Sequence, residues 1–285
     1  MTLPLAGRAV LVPRDPERAS GLAARLEALG ATVLVAPATR TEPAADPAAL
    51  DAAVRRLAAG DHAWAVLTSV NAVRALEGAA ARVAPGDPAA LLAAAPTAWA
   101  AVGPTTRRAL EALGATVSVV PAHERSAEGL VAVFPDPPAP SATGSARRVL
   151  LPQGDLARTT LRDGLAARGW EPDVVVAYRT LPVDLPADVV RRAGAGEVDA
   201  VVLTSGSVAR QVAAQLGTTL PAVCIGRPSA EVAADLGLDV AAIATAPTDA
   251  ALADAVVRAL AVPAIVSPSE PAAGARPDTT EEDPL

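Results

Sequence analysis

Short runs of β-branched and aliphatic residues alternate along the chain with longer Ala-, Leu- and Arg-rich segments that have helical periodicity. The first such unit is typical of the rest. Residues 8–12 predict a buried strand, Pro16 marks the first turn of a helix, and Gly30 ends that helix. A second strand is predicted at residues 32–36. Strands that alternate with helices in this way indicate βαβ units, so the pattern predicts an α/β fold with parallel sheets.

The same order of elements returns in the second half of the chain, which indicates an internal repeat. Residues 10–14 align with residues 149–153, and the same offset aligns residues 39–43 with residues 178–182. Together the two copies extend to about residue 260, and the first copy holds extra residues around 85–88. The sequence therefore predicts two copies of one architecture.

Further apolar runs, each before a turn of Ser, Thr, Gly or Pro, predict the remaining strands. They are residues 63–67, 98–101, 116–119, 149–151, 173–177, 200–203, 222–225 and 239–243. Two segments fall outside the pattern. Residues 135–140 are predicted to form a Pro-rich surface loop, and the acidic tail 263–285 is predicted to be disordered.

Composition and charge exclude several classes of protein. With 24 Lys plus Arg against 31 Asp plus Glu, the net charge is −7, so we expect no nucleic-acid partner. One Cys and two His cannot supply a Cys/His zinc cluster, so no metal site is predicted. No apolar stretch is long enough for a membrane span and the start of the chain carries no export signal, so we expect a cytoplasmic protein without membrane contact. His62 and His123 are predicted to be surface residues.

Polar turns follow most of the predicted strands, where parallel sheets bind ligands. Any one of these Ser, Thr or Asp residues is also explained as a helix cap. As a set, on two facing sheet edges, they predict a cleft that receives anions. The predicted binding residues are Arg14, Thr68, Ser69, Asn71, Gly103, Thr106, Ser126, Gln153, Gly154, Arg158, Thr204, Ser205, Ser207, Gly226 and Ser229.

Tyr178 is the only tyrosine in the chain and stands where the first copy has Thr39. Two interpretations stay open at this point. The ring fills a gap between the two copies, or its hydroxyl lies over the cleft and donates a hydrogen bond or a proton. Nucleotide-binding and serine-hydrolase motifs are missing, since neither a phosphate loop nor Gly-x-Ser-x-Gly occurs in the sequence.

Several of these segments together resemble the uroporphyrinogen-III synthase family. They are residues 148–155 (RVLLPQGD) with Arg158, 177–180 (AYRT), 67–73 (LTSVNAV), 126–130 (SAEGL) and 247–252 (PTDAAL). The resemblance covers about residues 7–260. No single motif is specific, but their order and spacing together are.

The resemblance implies two flavodoxin-like parallel-sheet domains, related by internal duplication and joined by a two-stranded linker. Residues 1–38 plus 183–262 would form a discontinuous domain, and residues 44–177 a contiguous one. Residues 39–43 and 178–182 would be the linkers, which agrees with the repeat.

The family's reaction closes linear hydroxymethylbilane to uroporphyrinogen III, with inversion of the last pyrrole ring and loss of water. By resemblance we therefore expect a lyase of tetrapyrrole, porphyrin and haem biosynthesis that uses no metal or organic cofactor. Tyr178 matches the tyrosine proposed in the family to act as the acid. We expect a monomer, with transient contact to the preceding pathway enzyme left open. The alternatives are a non-catalytic two-domain binding protein for small polyanions and a regulatory module with receiver-like domains.

Overall fold

A computed structural model of the chain describes residues 3–139 and 145–261. These residues form a mixed α/β fold with two sheets, as the alternation of strands and helices predicts. The predicted tail at 263–285 lies outside the described residues, as does the last residue of the predicted loop at 135–140. None of the helices in the described ranges is long and apolar enough to cross a membrane.

One sheet has five parallel strands, which come from both ends of the described chain. They are β1 (Ala9–Val12), β2 (Thr32–Val35), β9 (Ala200–Leu203), β10 (Ala222–Cys224) and β11 (Val240–Ile243). Their order is β11-β10-β9-β1-β2. Counted among the strands of this sheet, that is the 2-1-3-4-5 order of doubly wound folds such as flavodoxin.

The second sheet has six strands, all from the middle of the chain. They are β3 (Thr39–Pro43), β4 (Trp64–Leu67), β5 (Ala98–Ala101), β6 (Val117–Val119), β7 (Arg148–Gly154) and β8 (Glu171–Pro182). Their order is β3-β8-β7-β4-β5-β6, and only β3 runs antiparallel to its neighbour.

Helices connect most successive strands and cover both sheets, although β3 follows β2 without a helix. They are α1 (Pro16–Ala28), α2 (Pro47–Ala58), α3 (Val70–Val83), α4 (Pro88–Ala94), α5 (Pro104–Glu111), α6 (Ala127–Val133), α7 (Thr160–Ala167), α8 (Ala187–Gly194), α9 (Gly206–Leu216), α10 (Arg227–Asp235) and α11 (Asp249–Leu260). Helices α1, α2 and α4 begin with an Asp cap followed by Pro. This combination satisfies a free backbone amide and presets the helical φ angle.

The chain passes between the two sheets twice, at residues 36–38 and after Pro182. Next to these crossings β3 pairs antiparallel with the end of β8, with Thr39 opposite Pro182 and Pro43 opposite Tyr178. Residues 178–182, the predicted linker, thus continue β8, which is longer than the strand predicted at 173–177.

Each sheet is covered by apolar residues on both faces. In the five-stranded sheet, Leu11 and Val10 are both fully buried, but they belong to different clusters on opposite faces. Leu150 and Leu151 are divided in the same way in the six-stranded sheet. Strands buried on both faces have nearly continuous apolar sequences, which explains why they could be identified from sequence.

Candidate functional site

A cleft of about 1290 Å³ lies at the carboxyl ends of strands from both sheets. Its walls are the segments that follow β4, β6 and β7 in one sheet and β9, β10 and β11 in the other. The cleft is therefore at the edge where parallel sheets bind ligands.

Three serines near the cleft cap helices, as the structural interpretation of the turns expects. Ser69, Ser126 and Ser205 accept hydrogen bonds from backbone amides three residues further on, at 3.1, 3.1 and 3.2 Å. Ser205 also shares a 2.9 Å hydrogen bond with the hydroxyl of Ser207. Capping and exposure to the cleft are compatible, because Ser126, Ser205 and Ser207 also line it.

Tyr178 lines the cleft near the point where β8 becomes the connection between the sheets. Its hydroxyl oxygen lies 3.2 Å from Oγ of Ser69. The backbone from Tyr178 to Thr180 is held by one residue. The amide of Asp155 donates to the carbonyl of Tyr178 at 3.0 Å, and Oδ1 of Asp155 accepts from the amide of Thr180 at 3.0 Å.

The cleft has a charge opposite in sign to that of the whole chain. Four arginines (Arg125, Arg158, Arg210 and Arg227) and three glutamates (Glu124, Glu128 and Glu231) line it, an excess of one positive charge. Helix α10 also begins here, and its cap residue Gly226 supplies no side-chain acceptor for the first amides. Arginines and free helix amides both favour anions, so the cleft suits a ligand that carries carboxylates.

Two ion pairs cross the cleft in opposite directions. Nη1 of Arg158, which precedes α7, lies 2.9 Å from Oε2 of Glu231 on α10. Nη2 of Arg227 lies 3.6 Å from Oε1 of Glu124 on the other side. In each pair, the arginine and the glutamate come from segments that follow strands of different sheets. A carboxylate ligand that binds these arginines must therefore compete with the two glutamates.

Most of the predicted binding residues lie in the wall of the cleft. They are Thr68, Ser126, Gln153, Gly154, Arg158, Thr204, Ser205, Ser207, Gly226 and Ser229. Ser229 is 3% exposed, and its hydroxyl donates to the carbonyl of Gly226 at 2.9 Å. Ser229 therefore shapes the turn before α10.

Five predicted binding residues do not line the cleft: Arg14, Ser69, Asn71, Gly103 and Thr106. Ser69 reaches it through Tyr178. The Arg14 guanidinium lies 3.6 Å from Asp249, and burial lowers its pKa from the ordinary value. Asn71 accepts a hydrogen bond from Arg18 at 2.7 Å. Gly103 is the cap residue of α5, and Thr106 is buried in the same helix.

Arg210, Arg227 and Thr180 also line the cleft and were not among the predicted binding residues. Arg227 follows the selected Gly226 directly. Arg210 lies on α9, one turn after Ser207, so helical spacing from the polar turn could have identified it. Thr180 has no such signal, because its position depends on the pairing of β3 with β8.

The prediction of a surface position for His62 is wrong. Its side chain is fully buried, and Nε2 lies 2.8 Å from Oδ2 of Asp173, which Arg56 also contacts at 2.7 Å. Nδ1 has no hydrogen-bond partner in the described part of the chain. Burial lowers the pKa of His62 below its ordinary value, and the hydrogen bond to Asp173 opposes this shift. His62 precedes β4 and therefore lies at the end of the sheet opposite to the cleft. His123, by contrast, is exposed as predicted, and it lines the cleft.

Comparisons with known proteins agree with this architecture. A mutant uroporphyrinogen III synthase from the extremely thermophilic bacterium Thermus thermophilus has a TM-score of 0.62 at 22% identity, over 89% of this chain and 98% of that chain. Uroporphyrinogen-III synthetase from Helicobacter pylori has a TM-score of 0.54 at 15% identity, over 87% and 97%. At these identities the similarity shows a common fold. None of the curated proteins compared with the sequence matches it.

The sequence also matches a family model, which is described as uroporphyrinogen-III synthase HemD. The match covers residues 20–254 and thus includes the six-stranded sheet, four of the five strands of the other sheet and every residue of the cleft wall. A match over most of the chain, together with the common fold, shows that this protein belongs to the uroporphyrinogen-III synthase family.

Proposed function

We propose that the protein is a uroporphyrinogen-III synthase. It converts hydroxymethylbilane to uroporphyrinogen III with inversion of the last pyrrole ring and loss of one water, and is thus a hydro-lyase that closes a ring. Family membership supports this activity. The observation that carries the proposal is Tyr178, which lines a cleft between two sheets, with its hydroxyl held by Ser69 and its backbone held by Asp155.

We further propose that each sheet is the centre of one domain, with residues 1–38 plus 183–262 in one, residues 44–177 in the other, and linkers at 39–43 and 178–182. Strand order supports an origin by duplication. β1 and β2 lie beside β9, β10 and β11 as β7 and β8 lie beside β4, β5 and β6. Each sheet thus combines the first two strands of one copy of the repeat with the last three strands of the other, and β3 is an additional strand at the edge of the six-stranded sheet.

The reaction begins with the departure of the hydroxyl from the hydroxymethyl group. Tyr178 donates its phenolic proton to that oxygen, the C–O bond breaks, and water leaves. Electrons from the adjacent pyrrole then form an azafulvene. The substituted carbon of the terminal ring attacks the azafulvene methylene carbon, which gives a spiro intermediate. The original bond from that ring carbon to its methylene bridge then breaks, and the freed methylene bonds to the other α-carbon of the terminal ring, so that the ring is inverted. That α-carbon loses its hydrogen as a proton, which returns to the phenolate of Tyr178 through solvent, and the net loss is one water.

Binding and orientation supply the rest of the catalysis. The substrate carries acetate and propionate groups on every ring, and Arg158, Arg210 and Arg227 are placed to pair with them. A flexible linear tetrapyrrole must fold so that its two ends meet at the substituted carbon, and not at the free carbon that gives the unrearranged isomer. Fixing carboxylates at several points of the cleft favours that geometry.

The described residues contain no group of three or more His, Cys, Asp or Glu that could hold a metal ion. Proton transfer and orientation are sufficient for the proposed steps, so we propose that the enzyme works without a metal or organic cofactor. A monomeric state, a cytoplasmic location and contact with the preceding pathway enzyme stay predictions.

The test is to supply hydroxymethylbilane enzymatically, stop the reaction, oxidise the products and separate isomers III and I. We expect isomer III as the main product, at the same rate with and without EDTA. A non-catalytic binding protein would bind the tetrapyrrole and leave only the slow spontaneous formation of isomer I. That result would contradict the proposed function and favour the alternative.

A further inference from the structure

Among the described residues, Ser69 is the one side chain that shares a hydrogen bond with the hydroxyl of Tyr178, at 3.2 Å. Ser69 is held firmly, because its Oγ accepts a hydrogen bond from the amide of Ala72 at 3.1 Å in the first turn of α3. Its backbone is extended, with φ −150° and ψ 155°, as expected for a helix cap. The hydroxyl of Tyr178 therefore faces an oxygen whose position is set by a helix.

The number of hydrogens and lone pairs on the two hydroxyls limits how Ser69 and Tyr178 can hydrogen-bond to each other. A serine hydroxyl has one hydrogen to donate and two lone pairs to accept with, and the amide of Ala72 already uses one lone pair. If Tyr178 donates to Ser69, the phenolic proton points away from the cleft. If Ser69 donates to Tyr178, the phenolic proton is free to point into the cleft. A hydroxyl that accepts from an amide is polarised toward donating, which favours the second arrangement.

We propose that Ser69 is a positioning residue whose hydroxyl donates to the Tyr178 oxygen and so directs the phenolic proton to the substrate. The inference deepens the proposed function and rests on it. Ser69 does not line the cleft and does not need to touch the substrate. It acts through Tyr178.

The hydrogen bond from Ser69 stabilises the Tyr178 oxygen more strongly as the phenolic proton leaves. When the phenolic proton passes to the departing hydroxyl, the C–O bond breaks, water forms, and the Tyr178 oxygen becomes negative. The Ser69 hydrogen stays on its own oxygen and then donates to a phenolate. A hydrogen bond to a charged oxygen is stronger than one to a neutral oxygen, so Ser69 stabilises the transition state more than the ground state.

Kinetics of Ser69→Ala and Ser69→Thr test the inference. Ser69→Ala should lower kcat about 10- to 100-fold with KM nearly unchanged, the usual effect of a hydrogen bond to a charged group. Ser69→Thr keeps the hydroxyl and should restore most of kcat. Asp87→Ala is the matched control, because Asp87 caps α4 by the same type of bond, at 2.8 Å, and does not line the cleft. Its kcat should equal that of the wild type.

A spectroscopic test needs no catalysis. Because Tyr178 is the only tyrosine, protein labelled with 13Cζ-tyrosine gives one phenolic carbon resonance that belongs to it. Ser69→Ala should move this resonance, whereas Ser69→Thr and Asp87→Ala should leave it in place. A resonance unmoved by Ser69→Ala would overturn the inference, whether or not the protein forms isomer III.

A double-mutant cycle with Tyr178→Phe separates the two proposals. If Ser69 acts through Tyr178, Ser69→Ala should have no effect on kcat in the Tyr178→Phe background. An equal loss in both backgrounds would overturn the role of Ser69 and leave the enzyme activity intact. Isomer III formed by Tyr178→Phe at the wild-type rate would instead remove Tyr178 from the mechanism, and the role of Ser69 with it.

Discussion

The ring of Tyr178 lies directly over the backbone of Gly154. A Cβ placed on Gly154 would be 2.8 Å from two ring carbons and 2.9 Å from the hydroxyl oxygen. Gly154 ends β7, at an irregularity in its register with β8 where it pairs with Tyr178. Glycine here thus allows close packing of an aromatic ring, and its φ is not in the left-handed region.

Gly154→Ala should therefore displace the Tyr178 ring. The backbones of β7 and β8 are fixed by their pairing, so the ring must move away from the added methyl group. We expect kcat to fall at least about tenfold, since displacement of a catalytic group by about 1 Å costs up to 10²-fold. Gly194→Ala is the control, because a Cβ there meets nothing within 4 Å. A Gly154→Ala enzyme with wild-type kcat would show that the position of the ring does not matter.

The cross-cleft ion pairs predict an effect on substrate binding. Replacing Glu124 and Glu231 together by Gln frees Arg227 and Arg158 for substrate carboxylates. Both pairs are largely exposed, so the effect should be modest, with KM lowered up to about fivefold. Steady-state kinetics at low salt would measure it.

The control for these variants is Glu197→Gln, because Glu197 pairs with Arg192 at 3.3 Å and neither residue lines the cleft. It changes the net charge by one unit without touching the site. If the double variant raised KM, the glutamates would assist binding instead of competing with the substrate.

The strands were largely predictable from sequence, and so were most of their limits, since β5 and β9 have the predicted bounds and only β7 and β8 differ from the prediction by more than one residue at an end. β1 was predictable because Ala9–Val12 is a short, fully buried apolar run bounded by charged and proline residues. Helix α4 was not predicted, because Asp87-Pro88 is equally typical of a loop. Helix and turn propensities alone do not decide whether such a segment forms a helix.

The cleft was predictable as a location but not in detail. Polar residues after parallel strands lie at one edge of each sheet whatever the tertiary arrangement, so Thr68 and Thr204 could be selected correctly for the cleft wall. Arg14 also follows a strand, but its partner Asp249 comes from the distant start of α11. Which strand ends face the cleft depends on how the two sheets are placed, and no local pattern encodes that.

Buried His62 predicts a pH dependence of stability. Burial lowers its pKa in the folded protein, whereas an unfolded histidine titrates near its ordinary value of about 6.5. The unfolded chain therefore binds the proton first as the pH falls, and the free energy of unfolding decreases below about pH 6.5. Above that pH the contribution of neutral His62 is fully present.

His62→Gln should reduce this dependence, because the amide can donate to Asp173 and does not titrate. Denaturant unfolding at several values between about pH 7.5 and 5 would give the slope of the free energy of unfolding against pH. His123→Gln, at an exposed position, is the control and should keep the wild-type slope. Equal slopes for His62→Gln and wild type would show that His62 does not cause the loss of stability in acid.

The turnover of Tyr178→Phe tests the central claim most directly, since it removes one oxygen from the cleft and leaves the ring over Gly154. If Tyr178 is the acid, the rate of isomer III formation should fall roughly 10²- to 10⁴-fold, nearer the low end because the substrate carboxylates can also donate protons, while the unfolding transition stays nearly unchanged. Formation of isomer III within about twofold of the wild-type rate, far from the 10²-fold typical of a general acid, would contradict the account and leave orientation by arginines and backbone amides as the main source of catalysis.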